Sequence, residues 1–178
     1  MKIILFIVLF LSGLALSAIA EEKKIDPDVK PEQKWEDSDD VNYLPLGILT
    51  REQILTLKVF DYNYIEYVPK SDPIQAIHNY TQPAEVKVFF GDWCKDSKKH
   101  VPALIKSVEF FDNKNIKVTY INVSRDKKEP ADLVAPSNIE KVPTLIVLVD
   151  GKEKGRIVET PKASVEQDLI DILNSANP

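Results

Sequence analysis

The chain is poor in the residues that build ligand cages and flexible loops. Its 178 residues include one Cys, two His, one Met and five Gly. One thiol excludes an intramolecular disulfide framework and any thiolate cluster for zinc or iron–sulfur. His78 and His100 lie far apart and lack ligand spacing, so no metal site is expected. No Gly-rich phosphate loop, hydrolase nucleophile motif or internal repeat is present, and no cofactor is expected. A formal charge of −5 lacks the basic footprint of a nucleic-acid binder. The length excludes a large multi-domain enzyme, while 44% apolar residues allow one packed core.

What is there divides into distinct materials. Residues 1–20 open with Lys2, run apolar from Ile3 to Leu16 and end in Ala18-Ile19-Ala20. This pattern predicts a cleaved secretory signal peptide rather than a membrane anchor, which needs about 20 apolar residues. The mature chain is therefore expected to be exported, periplasmic or secreted, with no membrane contact after cleavage. More than half of residues 21–42 are charged, which predicts a disordered tether carrying Trp35 as its one sticky point.

Residues 43–84 read as an N-terminal helical extension. Thr50-Arg51-Glu52-Gln53 fits a capping box, and Ile54, Leu57, Tyr64, Ile65 and Val68 follow at loosely helical spacing. Phe60, Tyr62, Tyr64 and Tyr67 read as packing residues. Asp72-Pro73 predicts a helix start with Asp72 as cap and Pro73 first in the helix.

From residue 85 to 178 a second pattern holds. The apolar run Val86, Val88, Phe89, Phe90 stops at Gly91 and predicts a buried strand. Residues 94–112 predict a helix with Val101, Leu104, Ile105, Val108 and Phe111 inward, kinked at Pro102. Ile116 to Val123 reads as a strand, 130–139 as a short helix or turn, and 144–149 as an apolar strand. Asp150-Gly151 turns that strand into an antiparallel partner at 152–158. Ser164-Val165-Glu166-Gln167 fits a second capping box before a helix with Leu169, Ile170 and Leu173 inward. The order β-α-β-α-β-β-α predicts an α/β fold, a mixed central sheet flanked by helices.

Chemistry concentrates in Gly91-Asp92-Trp93-Cys94-Lys95-Asp96-Ser97, at a strand end and a helix mouth. Unpaired N–H groups and the positive end of the helix dipole favour a thiolate there. Lys95, Lys98 and Lys99 add positive charge, which Asp92 and Asp96 oppose. Acidity alone achieves little: lowering a thiol pKa from about 8.5 to about 6.5 nets roughly threefold in rate, because nucleophilicity falls with basicity. Positioning has to matter more. Ser97 shares the helical face of Cys94 and either donates a hydrogen bond to the sulfur or simply starts the helix. Trp93 either covers the sulfur and contacts substrate or packs. Asp96 serves as an acid/base near the sulfur or complements the dipole.

Val86 to Leu173 resembles a thioredoxin-fold domain. Trp93-Cys94-Lys95-Asp96-Ser97 is similar to the family's Trp-Cys-x-x-Cys site, Pro102 falls at its helix kink, and Val142-Pro143-Thr144 resembles its cis-proline loop. The Trp-Cys-x-Asp-Ser version resembles bacterial exported or uncharacterised thioredoxin-like proteins. The resemblance implies a cis Pro143, a Val142 backbone beside Cys94, substrate contacts through Trp93, Val142, Pro143 and Thr144, and partners that are protein or small-molecule thiols and disulfides. Three departures stand out. Ser97 replaces the resolving cysteine, Val88 replaces a buried acid, and Glu159 stands where a glycine commonly lines the groove.

One sulfur can form a mixed disulfide but cannot resolve it, so isomerase-like reshuffling or monothiol reduction would need an external thiol. The competing expectation is a non-catalytic module that binds extended polypeptide beside the proline loop. A dimer joined through two Cys94 sulfurs is a third outcome. Asn79-Tyr80-Thr81 and Asn122-Val123-Ser124 match glycosylation acceptors, the second by chance if Asn122 lies in a strand.

Overall fold

The computed structural model describes residues 44–176, so the expected signal peptide and charged tether lie outside the described residues. In chain order the elements are β1 (Gly47–Leu49), α1 (Arg51–Ile54), α2 (Lys58–Glu66), α3 (Ser71–His78), β2 (Ala84–Phe90) and α4 (Lys95–Phe111). They continue with β3 (Ile116–Asn122), α5 (Ala131–Val134), a 3-10 turn at Ala135–Ser137, β4 (Thr144–Val149), β5 (Lys152–Val158) and α6 (Val165–Asn174). The strands form one sheet in the order β1-β3-β2-β4-β5. β2 and β3 run parallel, while β1–β3, β2–β4 and β4–β5 are antiparallel. This is the mixed sheet the sequence predicts, with one strand more.

β2 is central, and its composition shows why. Val86, Val88 and Phe90 point into one core with Leu104, Ile105, Leu145 and Leu169, and Phe89 points into a second with Ile121, Val134, Val142 and Ile146. A strand covered on both faces loses the polar alternation of a half-exposed one. Each such side chain contributes about 1.5–3 kcal/mol on burial. Phe60 of α2 is fully buried and meets Phe90 edge to face, with ring centroids 5.9 Å apart. The helices of residues 51–78 therefore share their core with the sheet.

Asp150 and Gly151 both take left-handed backbone, at φ 52° and 74°, which a two-residue turn between twisted strands requires. Thr50 closes its capping box reciprocally with Gln53, at 3.2 and 2.9 Å.

Several local expectations shift. α3 begins at Ser71 behind Lys70, not behind Asp72, and Pro73 sits third in the helix. The Lys70 N–H donates to the buried carboxylate of Glu166 in α6 (2.8 Å), so a distant side chain fixes this helix start. Ser164 caps α6, but Gln167 bonds Asp171 (2.8 Å) and leaves the second capping box half-formed. Ile65 and Val68 are exposed rather than inward; α2 ends at Glu66, so helical spacing no longer applies at Val68. β1 escaped notice because three residues are too few to show a period. It pairs with β3 through Gly47–Asn122, Ile48–Ile121 and Leu49–Tyr120.

Candidate active site

β2 ends at Phe90 and α4 begins at Lys95, so four residues, Gly91 to Cys94, turn the chain from sheet to helix. Cys94 is the N-cap of α4, with extended backbone at φ −89° and ψ 127°. Its N–H donates to the Gly91 carbonyl (2.9 Å) and its carbonyl accepts from the Lys98 N–H (3.0 Å). The half-buried thiol donates to the Val142 carbonyl at 3.1 Å. Val142-Pro143 is cis, so the loop expected beside the sulfur is there. Val142, Pro143 and Thr144 are all buried.

The proline loop is held from both ends. Thr144 Oγ1 donates to the Lys141 carbonyl (2.7 Å), and the Glu159 N–H donates to the Pro143 carbonyl (2.8 Å). Glu159 takes left-handed backbone at φ 58° and pairs with Lys141 at 2.7 Å. The position where the family commonly keeps glycine thus retains a glycine-like conformation with a charged side chain over the loop.

Ser97 is fully buried, and its partner is the Gly91 N–H (3.2 Å), not the sulfur. Its hydroxyl fixes the strand end that leads to Cys94. Asp96 lies half-buried in the first turn of α4. His100 is half-buried; burial, helped by Lys99, pulls its imidazole below the ordinary range against an upward pull from Asp96. α4 is further fixed by Asn63 of α2, whose amide donates to the Lys98 carbonyl (2.9 Å).

Trp93 lies across Gly91. A Cβ on Gly91 would stand 2.4 Å from the indole, so only glycine fits beneath this ring. The indole N–H donates to the Val123 carbonyl (3.2 Å), and the Arg125 guanidinium rests over the ring, 5.3 Å from its centroid. The ring packs against the second core.

Sequence reasoning missed a buried polar clasp. The Leu44 N–H donates to the Asp92 carboxylate at 2.6 Å, and the Asp92 N–H donates to Asn122 Oδ1 at 3.2 Å. The Asn122 amide donates to the Leu44 and Pro45 carbonyls, at 3.1 and 3.2 Å. Asn122 has 0% exposure, so its glycosylation match has no accessible acceptor in the fold. Asp92, weighed in the sequence only as a charge opposing the lysines, is buried and ties the segment before β1 to the Cys94 turn. An amide at the end of an apolar strand was the only available signal.

No group of three or more His, Cys, Asp or Glu able to hold a metal occurs among the described residues. None of their helices is long and apolar enough to cross a membrane.

No curated protein matches the chain. Among solved structures it resembles a protein of unknown function from Pseudomonas aeruginosa at 21% identity and TM-score 0.45, covering 70% of this chain and 74% of that one. A malaria parasite thioredoxin-2, described as a component of the protein secretion machinery, aligns at 18% identity and TM-score 0.42, over 53% of this chain and 84% of that one. A mutant thioredoxin from Halobacterium salinarum aligns at 20% identity and TM-score 0.41, over 63% and 89%. Residues 59–171, more than half of the chain, match the family model described as thioredoxin, and the chain belongs to that family.

Proposed function

We propose that this chain is an exported monothiol protein that exchanges disulfides through Cys94. Family membership supports thiol–disulfide chemistry in general. The observation that carries the specific reading is the Cys94 sulfur at the mouth of α4, 3.1 Å from the carbonyl that precedes cis Pro143. A disulfide laid along this loop meets the sulfur with its main chain near the Val142 backbone. Export rests on the sequence of residues 1–20.

The step balances with one protein sulfur. The Cys94 thiol gives up its proton, and its contact with Val142, to solvent. The thiolate attacks one sulfur of the substrate disulfide, the S–S bond breaks, and a substrate thiolate leaves as the Cys94 mixed disulfide forms. An external thiol then attacks the mixed disulfide and returns Cys94. Ser97 has no sulfur with which to do this and instead holds Gly91. Trp93, Val142, Pro143 and Thr144 shape the groove, and Asp96 is the nearest acid in the sequence that remains partly open to solvent.

Incubation with a protein disulfide should yield a mixed disulfide by mass spectrometry that Cys94→Ser abolishes. A wild-type thiol that alkylates no faster than free cysteine and traps nothing would overturn the reading. Binding of extended polypeptide that survives both Cys94→Ser and excess reductant would favour the non-catalytic module. A Cys94-linked dimer would appear on a non-reducing gel.

A further inference from the structure

Arg125 is placed where a charge can select what reaches the sulfur. It lies just beyond β3 in a loop closed on itself: the Ser124 hydroxyl accepts from the N–H groups of Lys128 (3.2 Å) and Glu129 (3.0 Å) and donates to Asp126 (2.6 Å). The neighbouring carboxylate of Asp126 is therefore occupied by its own loop. Among the described residues the Arg125 guanidinium has no ion pair or hydrogen bond, while its carbonyl accepts from Lys127 Nζ (3.1 Å); the guanidinium rests over the ring of Trp93, the residue before Cys94. A guanidinium held over an aromatic face stays charged and open to an incoming anion. On the helix side of the sulfur, Lys95 and Lys99 are exposed and also without a carboxylate partner among the described residues. The carboxylate in their own helical turn is the half-buried Asp96, while the Asp92 carboxylate is turned inward onto the Leu44 N–H.

We infer that Arg125, seconded by Lys95, makes this site selective for disulfides flanked by carboxylates, as in an acidic polypeptide. The inference rests on the exchange chemistry proposed for Cys94 and names its substrate class. The incoming carboxylate lies within the field of the guanidinium while the disulfide lies over Cys94, and the leaving thiolate departs through a cationic rim. The chain as a whole is acidic, with a formal charge of −5, so this preference is local to the site and opposes the overall field.

The test compares second-order rates of Cys94 with three small disulfides: anionic 5,5′-dithiobis(2-nitrobenzoate), neutral 4,4′-dithiodipyridine and cationic cystamine. Each rate is normalised to that of 2-mercaptoethanol. The normalised order should be anionic above neutral above cationic at low salt, converging at high salt as screening shortens. One unit charge about 7 Å from a carboxylate in water-like surroundings is worth roughly threefold. Arg125→Gln should therefore lower the anionic-to-neutral ratio about threefold, and Arg125→Lys, which retains the charge, should keep most of it. An unchanged ratio in Arg125→Gln, or a wild-type preference for cystamine, overturns the inference while leaving exchange intact. Reaction with none of the three overturns the exchange reading and this inference with it.

Discussion

Removing the Asn122 side chain should loosen the Cys94 turn at a point well away from the sulfur. In the folded protein that amide makes three hydrogen bonds from a fully buried site: it accepts from Asp92 N–H and donates to the carbonyls of Leu44 and Pro45. At about 1 kcal/mol net for each, Asn122→Ala should cost about 3 kcal/mol. The cost is limited because the segment before β1 can peel away and let water satisfy Leu44 and Pro45. With an m-value of about 2 kcal/mol per molar urea, the midpoint should fall by about 1.5 M. Protease under native conditions should then cut within residues 44–49 well before global unfolding. Asn122→Asp refines the test, since it keeps the acceptor for Asp92 but loses both donated bonds and sets a second carboxylate beside the first. It should be at least as damaging at neutral pH and recover partly in acid. A midpoint within about 0.3 M of wild type, with no new cleavage, would refute the clasp.

Two further predictions concern packing and titration. Gly91→Ala would drive a methyl into the Trp93 indole, 2.4 Å away, so the ring must move off Gly91. We expect a loss of about 1–3 kcal/mol by thermal unfolding and a red-shifted tryptophan emission; an unchanged spectrum would mean that the ring does not lie there. Burial first, and the Glu166 carboxylate second, raise the Tyr67 hydroxyl well above its ordinary pKa near 10. A raised folded value means the stabilisation is complete below that ordinary pKa and is lost as pH rises above it. The stability gap between wild type and Tyr67→Phe should therefore shrink from pH 8 to pH 11 in urea melts, and a gap that widens would contradict the sign.

Legibility in the sequence followed the range of the interaction. The central strand was readable because Val86, Val88, Phe89 and Phe90 bury both faces, and α4 because its inward residues repeat at helical spacing. The Thr50 box and the Asp150-Gly151 turn were readable because all their groups lie within four residues. Cys94 and the Val142-Pro143 loop were paired only through the family resemblance, since nothing local joins Cys94 to Val142, 48 positions away. Ser97 was placed on the face of Cys94 with two readings open, a bond to the sulfur or a helix start, and the free N–H of Gly91 at the strand end takes its hydroxyl.

By itself, then, the sequence determined most of the elements and the place of the one cysteine at a helix mouth, for periodicity and capping are properties of neighbouring residues. Tertiary structure alone decided which buried polar groups found each other. Glu166 closed the start of α3, and Asp92 and Asn122 gripped the chain ahead of β1, because a buried donor or acceptor takes whichever partner the fold brings within reach. The same holds around the Cys94 turn, where the Val142 carbonyl reaches the sulfur and the Arg125 cation reaches the Trp93 ring from strands and loops that no local pattern connects.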